Sequence, residues 1–247
     1  MKRFFKLICI LFVGSIGGFL ASGFLAPYLA HTPPFEKIGW LKAGNGGTTI
    51  INKTEEKIIK EDKAIEDAIS KINPAVVGVV AKSKGVSKVK NLAYYSAGFI
   101  VTGDGLVVGQ SSMIPAGNYE YSILRDGISA EAEIIKRDAK SNLVLLKFQQ
   151  NNLPVVSFGS VGDLRLGEKI ILVGVNAEGP ASRMVDLGFV KGLSEKSFSA
   201  SFEKENEKFS GAPIIDIGGE VVAMAQVSGN SNVQIITAEE IKKFLEQ

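Results

Sequence analysis

Phe209-Ser210-Gly211-Ala212-Pro213-Ile214-Ile215-Asp216-Ile217-Gly218-Gly219-Glu220-Val221-Val222-Ala223 reads as a turn at Ser-Gly, a short apolar strand, a second turn at Gly-Gly and the start of another strand. A charged loop, Glu203 to Lys208, precedes it. The same alternation of short Val-, Ile- and Leu-rich runs with glycine turns continues in both directions. It predicts strands at Ala75 to Ala81, Ala97 to Val101, Gly105 to Val108, Tyr119 to Leu124, Ala130 to Ile135, Leu143 to Phe148, Lys169 to Gly174, Asp186 to Gly192, Ala212 to Ile217, Val221 to Gln226 and Gln234 to Ile236. No helix of the usual crossover length separates them, so the pattern is that of an all-β barrel or sandwich.

At each end of this β-rich region the period becomes helical. Thr54 can cap a helix over residues 54–72, with Glu55 and Glu56 in its first turn and Ile58, Ile65, Ile69 and Ile72 on one face, stopped by Asn73-Pro74. Its apolar stripe is expected to dock on the following domain. Thr237-Ala238-Glu239-Glu240 is a capping-box pattern that opens a C-terminal helix burying Ile241, Phe244 and Leu245.

Upstream lies a different composition. Leu7 to Ala30 is uncharged over 24 residues and follows Lys2, Arg3 and Lys6; roughly 20 apolar residues suffice to cross a bilayer core as helix. The expectation is a transmembrane signal-anchor over residues 1–31, its cations in the cytoplasm and the rest of the chain exported. A cleaved signal peptide is the competing reading, with Ala21-Ser22-Gly23 as the cleavage site; the apolar continuation through Phe24, Leu25 and Leu29 favours the anchor. Residues 32–53 carry Pro33, Pro34, Gly39, Gly44, Gly46 and Gly47 and read as a stalk.

Composition removes several classes of function. Lys and Arg number 28 against 26 Asp and Glu, a net charge of +2, without the basic excess that binds nucleic acid through phosphates. One cysteine, Cys9, excludes an internal disulfide framework and a Cys-rich zinc site. The chain has one histidine, His31, so any histidine general base must be that residue.

The stretch around Ser210 resembles the nucleophile segment of HtrA-type, trypsin-like serine proteases, whose motif is written GNSGGPL. Three other stretches agree in order: Ile72-Asn73-Pro74-Ala75-Val76-Val77-Gly78-Val79; Ser96-Ala97-Gly98-Phe99-Ile100-Val101 followed by Asp104-Gly105-Leu106-Val107-Val108; and Arg125-Asp126-Gly127, Asp138, Ser141-Asn142-Leu143-Val144-Leu145-Leu146-Lys147 and Leu164-Arg165-Leu166-Gly167-Glu168. The resemblance covers residues 72–247 and implies two six-stranded antiparallel barrels with a cleft between them. In these terms residues 73–247 form the protease-like domain, barrel 1 at about 73–150, barrel 2 at about 151–236 and the terminal helix at 237–247. The chain closes soon after, so a PDZ domain of the kind many members carry is not expected.

Residue by residue, the resemblance implies a degenerate site. The position of the family's histidine holds Ser112, that of its aspartate holds Asn142, and the nucleophile position keeps Ser210. Asn142 cannot supply the negative charge that stabilises an imidazolium. The oxyanion-hole glycine is replaced by Lys208, which puts a side chain where the backbone must turn its N–H toward the oxyanion. Ser112 and Asn142 read either as a hydrogen-bonded pair or as unrelated surface residues, and Ser210 either as residual chemistry or as a turn residue. Phe198, Phe202 and Phe209 read either as groove or as core.

The expected function is that of an inactive, membrane-tethered homologue that binds a peptide or an unfolded protein segment by strand addition, or pairs with a related active protease subunit. The alternative is an endopeptidase using Ser210 with a non-histidine base such as Lys208. No cofactor and no metal are implied.

Overall fold

The computed structural model describes residues 2–20, 61–84, 93–176, 182–202, 207–228 and 232–247. The chain divides into two units, Met1–Lys57 and Ile58–Gln247. In the first, helix α1 (Lys2–Leu20) covers the beginning of the expected span; the remainder of that span, the stalk and His31 lie outside the described residues. Among the described residues no helix is long and apolar enough to cross a membrane.

The second unit opens with α2 (Glu61–Ile72), the C-terminal part of the helix expected over residues 54–72; residues 54–60 lie outside the described part. Asn73-Pro74-Ala75 stops it in a 3₁₀ turn. Ala68 and Ile72 on its inner face are buried, as the apolar stripe requires.

Six strands follow: β1 (Val76–Ser83), β2 (Ala93–Ile100), β3 (Leu106–Gln110), β4 (Tyr119–Arg125), β5 (Ile128–Asp138) and β6 (Leu143–Phe148). They close an antiparallel barrel in the order β1-β2-β3-β6-β5-β4. The β4–β5 connection is Asp126-Gly127, with φ of 51° and 80°, between the paired residues Arg125 and Ile128. Two consecutive positive φ values match the right-handed twist of the flanking strands, which is why Asp-Gly serves here. β1 alternates poorly, as Val76 to Ala81 are all buried. Such a run belongs to a strand covered on both faces, one by the barrel interior and one by the neighbouring sheet.

That neighbour consists of β7 (Lys169–Asn176), β8 (Ser182–Leu193), β9 (Phe198–Phe202), β10 (Pro213–Ile215), β11 (Val221–Ser228) and β12 (Asn232–Thr237). Their order is β12-β11-β10-β7-β8-β9, with β9 and β12 approaching across the seam. The architecture is all-β, with two six-stranded antiparallel barrels. β9 is a strand that the turn-bounded runs did not announce.

Two apolar clusters hold the unit together. The larger joins Phe99, Val108, Leu146 and Phe148 to Ile171, Val173 and Ile215 of the other sheet, and to Ile241 and Phe244 of α3 (Ala238–Glu246). The smaller packs Phe198, Phe202 and Phe209 with Leu172, Ile214 and Val222. The three phenylalanines are core residues, which settles the alternative left open by their spacing.

The capping box of α3 forms as expected. The Glu240 backbone N–H donates to Thr237 Oγ1 at 3.4 Å and the Thr237 backbone N–H to Glu240 Oε2 at 2.9 Å. Glu239 then accepts from Ser160 Oγ at 2.8 Å and from the Val161 backbone N–H at 3.0 Å, tying the helix to the start of the second barrel. Lys136 of β5 lies 4.4 Å from the centre of the Phe244 ring and donates to the Phe244 carbonyl, tying the helix to the first barrel as well.

Candidate functional site

The rim of the first barrel is built where β3 runs out. Gln110 ends the strand and pairs with Leu143, and Ser111-Ser112-Met113 makes a 3₁₀ turn. Asn142, just before β6, adopts φ 56°, a left-handed conformation that asparagine tolerates better than most residues. That conformation lets Asn142 meet the turn through three polar groups. Its carbonyl accepts from the Ser111 backbone N–H at 2.9 Å, and its Oδ1 accepts from the Ser112 backbone N–H at 2.7 Å. Its Nδ2 donates to Ser112 Oγ at 3.1 Å. The two positions are therefore a hydrogen-bonded pair.

Two further residues, Gln110 and Arg137, complete this corner. Gln110, 4 % exposed, donates Nε2 to Ser112 Oγ at 2.8 Å. Arg137 of β5 donates Nη1 to the Ser111 carbonyl at 2.9 Å and to Ser111 Oγ at 3.0 Å. Gln110 Oε1 and Arg137 Nη2 are buried and have no partner among the described residues. The available signal was a polar residue, Gln110, continuing the inward alternation of the apolar run Leu106 to Val108.

Behind the corner, Asp138 accepts from Ser141 Oγ at 2.8 Å and from the Lys140 backbone N–H at 2.9 Å. The Ser141 hydroxyl first, and the Lys140 amide second, hold its carboxyl below the ordinary aspartate range. A depressed carboxyl contributes stability that is present above its unfolded pKa and lost as pH falls through the folded value. The unfolding midpoint is expected to fall on acidification through the carboxylate range, below about pH 4. Asp138→Asn should flatten that part of the curve, as thermal unfolding across a pH series will read.

Ser210 lies in the second barrel between a 3₁₀ turn, Glu207–Phe209, and β10. It is 1 % exposed, and its Oγ donates to the Val227 carbonyl of β11 at 3.2 Å. Its own carbonyl accepts from the Ala97 backbone N–H and from Ser96 Oγ, both at 2.9 Å. Gly98 pairs with Gly109, so the same register carries Ala97 opposite Gln110. Ser210 is thus held on the strand that borders the Ser112 corner. Among the described residues, no hydrogen bond joins its hydroxyl to Ser112 or Asn142.

Gly211 shows why the Ser-Gly turn needs glycine. Its φ is 82°, and a Cβ there would stand 2.3 Å from the Ala97 carbonyl oxygen. Its N–H is held by the Ala225 carbonyl at 2.8 Å. Lys208 stands in the preceding turn with its side chain exposed. A 3₁₀ turn uses i→i+3 bonds, so N–H groups at its C-terminal side point back onto its own carbonyls. An oxyanion hole needs N–H groups in this segment aimed outward at the reacting oxygen.

Comparison with known proteins agrees with this architecture. Residues 96–224 match the trypsin-like peptidase domain. Serine protease HTRA1A of Danio rerio is 30 % identical over 193 residues, covering 73 % of this chain and 40 % of the relative. A probable periplasmic serine endoprotease, DegP-like, of Chlamydia muridarum is 31 % identical over 146 residues, 56 % of this chain and 29 % of the relative. The crystal structure of Deg5 superposes with a TM-score of 0.63 at 21 % identity, covering 74 % of this chain and 93 % of that one. The chain thus spans less than half the length of these curated relatives.

Proposed function

Because the chain belongs to the trypsin-like peptidase domain family and is homologous to HtrA-type serine proteases, we propose that it is a catalytically inactive member that binds extended or unfolded polypeptide. One observation carries this reading. The Ser210 hydroxyl is buried and donates to the Val227 carbonyl, while the positions of the family's base and acid hold Ser112 and Asn142, bonded to each other. A serine hydroxyl is a weak nucleophile without a base within hydrogen-bond reach. Loss of nucleophile or base from a serine triad costs on the order of 10⁶ in turnover, so the fold serves recognition. Binding by strand addition uses main-chain hydrogen bonds and needs no triad.

The proposal extends to the N-terminus. The uncharged run from Leu7 to Ala30 beside Lys2, Arg3 and Lys6 supports a membrane anchor with the β domain on the extracytoplasmic side. Phe5, Ile10, Leu11, Phe12 and Val13 of α1 stand exposed, in keeping with that role.

The test uses reduced, carboxymethylated α-lactalbumin, a permanently unfolded polypeptide, with the full-length chain. Binding in a fluorescence-anisotropy titration, with the probe intact on a gel after overnight incubation, is the expected outcome. Cleavage of the probe that disappears in Ser210→Ala would contradict it.

A further inference from the structure

A serine hydroxyl offers one proton and two lone pairs. At Ser112 both lone pairs face N–H donors: Gln110 Nε2 at 2.8 Å and Asn142 Nδ2 at 3.1 Å. The Asn142 amide is fixed in this sense, because its Oδ1 already accepts from the Ser112 backbone N–H at 2.7 Å. With the Gln110 amide in this orientation, its Oε1 turned away from Ser112 and buried without a partner among the described residues, neither nitrogen can accept and the hydroxyl proton finds no acceptor inside the corner. Among the described residues no acceptor receives it. Ser112 is exposed, and the O–H therefore points outward.

The surroundings select the polarity of what meets it. Arg137 places a guanidinium behind Ser111, its Nη2 buried and without a partner among the described residues, a positive field that favours the oxygen end of an approaching dipole. From this geometry we infer that Ser112, at the position where the family places its base, is a fixed donor to a backbone carbonyl of the bound polypeptide. The inference rests on the peptide-binding reading above. A Gln110 amide turned the other way, with Oε1 accepting the Ser112 proton, would remove the outward donor; the experiment separates the two arrangements.

The titration with carboxymethylated α-lactalbumin is repeated on full-length Ser112→Ala and Ser112→Thr. Losing one neutral hydrogen bond weakens binding roughly three- to tenfold, so Ser112→Ala is expected to raise Kd by that factor. Ser112→Thr, which keeps an O–H, is expected to stay within about twofold of wild type, since it retains that hydrogen bond. Should Ser112→Ala fail to fold, Gln110→Glu decides, because a carboxylate at 110 accepts the Ser112 proton and turns the donor inward. It should weaken binding as Ser112→Ala would. Wild-type affinity in Ser112→Ala, or in Gln110→Glu where Ser112→Ala does not fold, overturns the inference and leaves peptide binding standing. A wild-type chain that does not bind the probe overturns the peptide reading, and this inference with it.

Discussion

A chain carrying both Ser112→His and Asn142→Asp is expected to remain a poor protease, turning over a fluorogenic unfolded-protein substrate at least about 10²-fold more slowly than a triple variant that also carries Lys208→Gly. The pair of substitutions supplies the chemical types of base and acid at the positions that the family resemblance assigns to them, which are already in contact, since Asn142 Nδ2 lies 3.1 Å from Ser112 Oγ. Freeing the Ser210 hydroxyl from the Val227 carbonyl costs one neutral hydrogen bond, about 0.5–1.5 kcal/mol, or roughly a factor of ten at most. The Glu207–Phe209 turn is the larger obstacle. One missing oxyanion donor costs about 10²–10³ in turnover, and the segment that would supply such donors is wound into a 3₁₀ turn over Glu207–Phe209, whose i→i+3 bonds draw the N–H groups at its C-terminal side inward. Glycine at 208 gives the segment the freedom to turn an N–H outward. Full turnover in the double variant would show that the turn does not limit the chemistry.

Gly211→Ala is expected to be among the most destabilising single substitutions in the domain. The residue sits at φ 82°, where a non-glycine residue costs about 1–3 kcal/mol. The new Cβ would also stand 2.3 Å from the Ala97 carbonyl oxygen and 2.7 Å from Ser96 Oγ. Neither side yields easily, because the Gly211 N–H is bonded to Ala225 and the Ala97 N–H to the Ser210 carbonyl. Overpacking of this kind adds about 1–3 kcal/mol, which together corresponds to a fall in Tm on the order of 10 °C for a domain of this size. Gly127→Ala is the matched control. Its φ is 80°, but nothing lies within 4 Å of its Cβ position, so it carries the backbone term alone. Urea unfolding of the two variants should show Gly211→Ala losing clearly more stability; equal losses would mean that the contact with β2 is not rigid.

The strands were legible wherever a short apolar run was bounded by glycine turns, as at Leu143–Phe148, where run and strand coincide. β9 is not announced by a turn-bounded run, because Phe198 and Phe202 stand beside the charged loop and read as groove or core alike. Their period-2 spacing with Ala200 was the sign of a strand. Strand ends extended past the apolar runs at β5 and β8, where ladder pairing continues through polar residues such as Arg137 and Arg183. At the site, the motifs propose Ser112, Asn142 and Ser210 for the three family positions. They could not show that Ser112 and Asn142 touch, which depends on the pairing of Gln110 with Leu143. Nor could they show where the Ser210 hydroxyl goes, since Val227 is brought to it by the pairing of β10 with β11. Both are long-range registers that no local pattern encodes.

Intact-protein mass spectrometry after exposure to a fluorophosphonate reports directly on whether Ser210 is an activated nucleophile. The chain is expected to keep its unmodified mass under conditions that fully label an active serine protease run in parallel. A stoichiometric adduct on Ser210, lost in Ser210→Ala, would contradict the account.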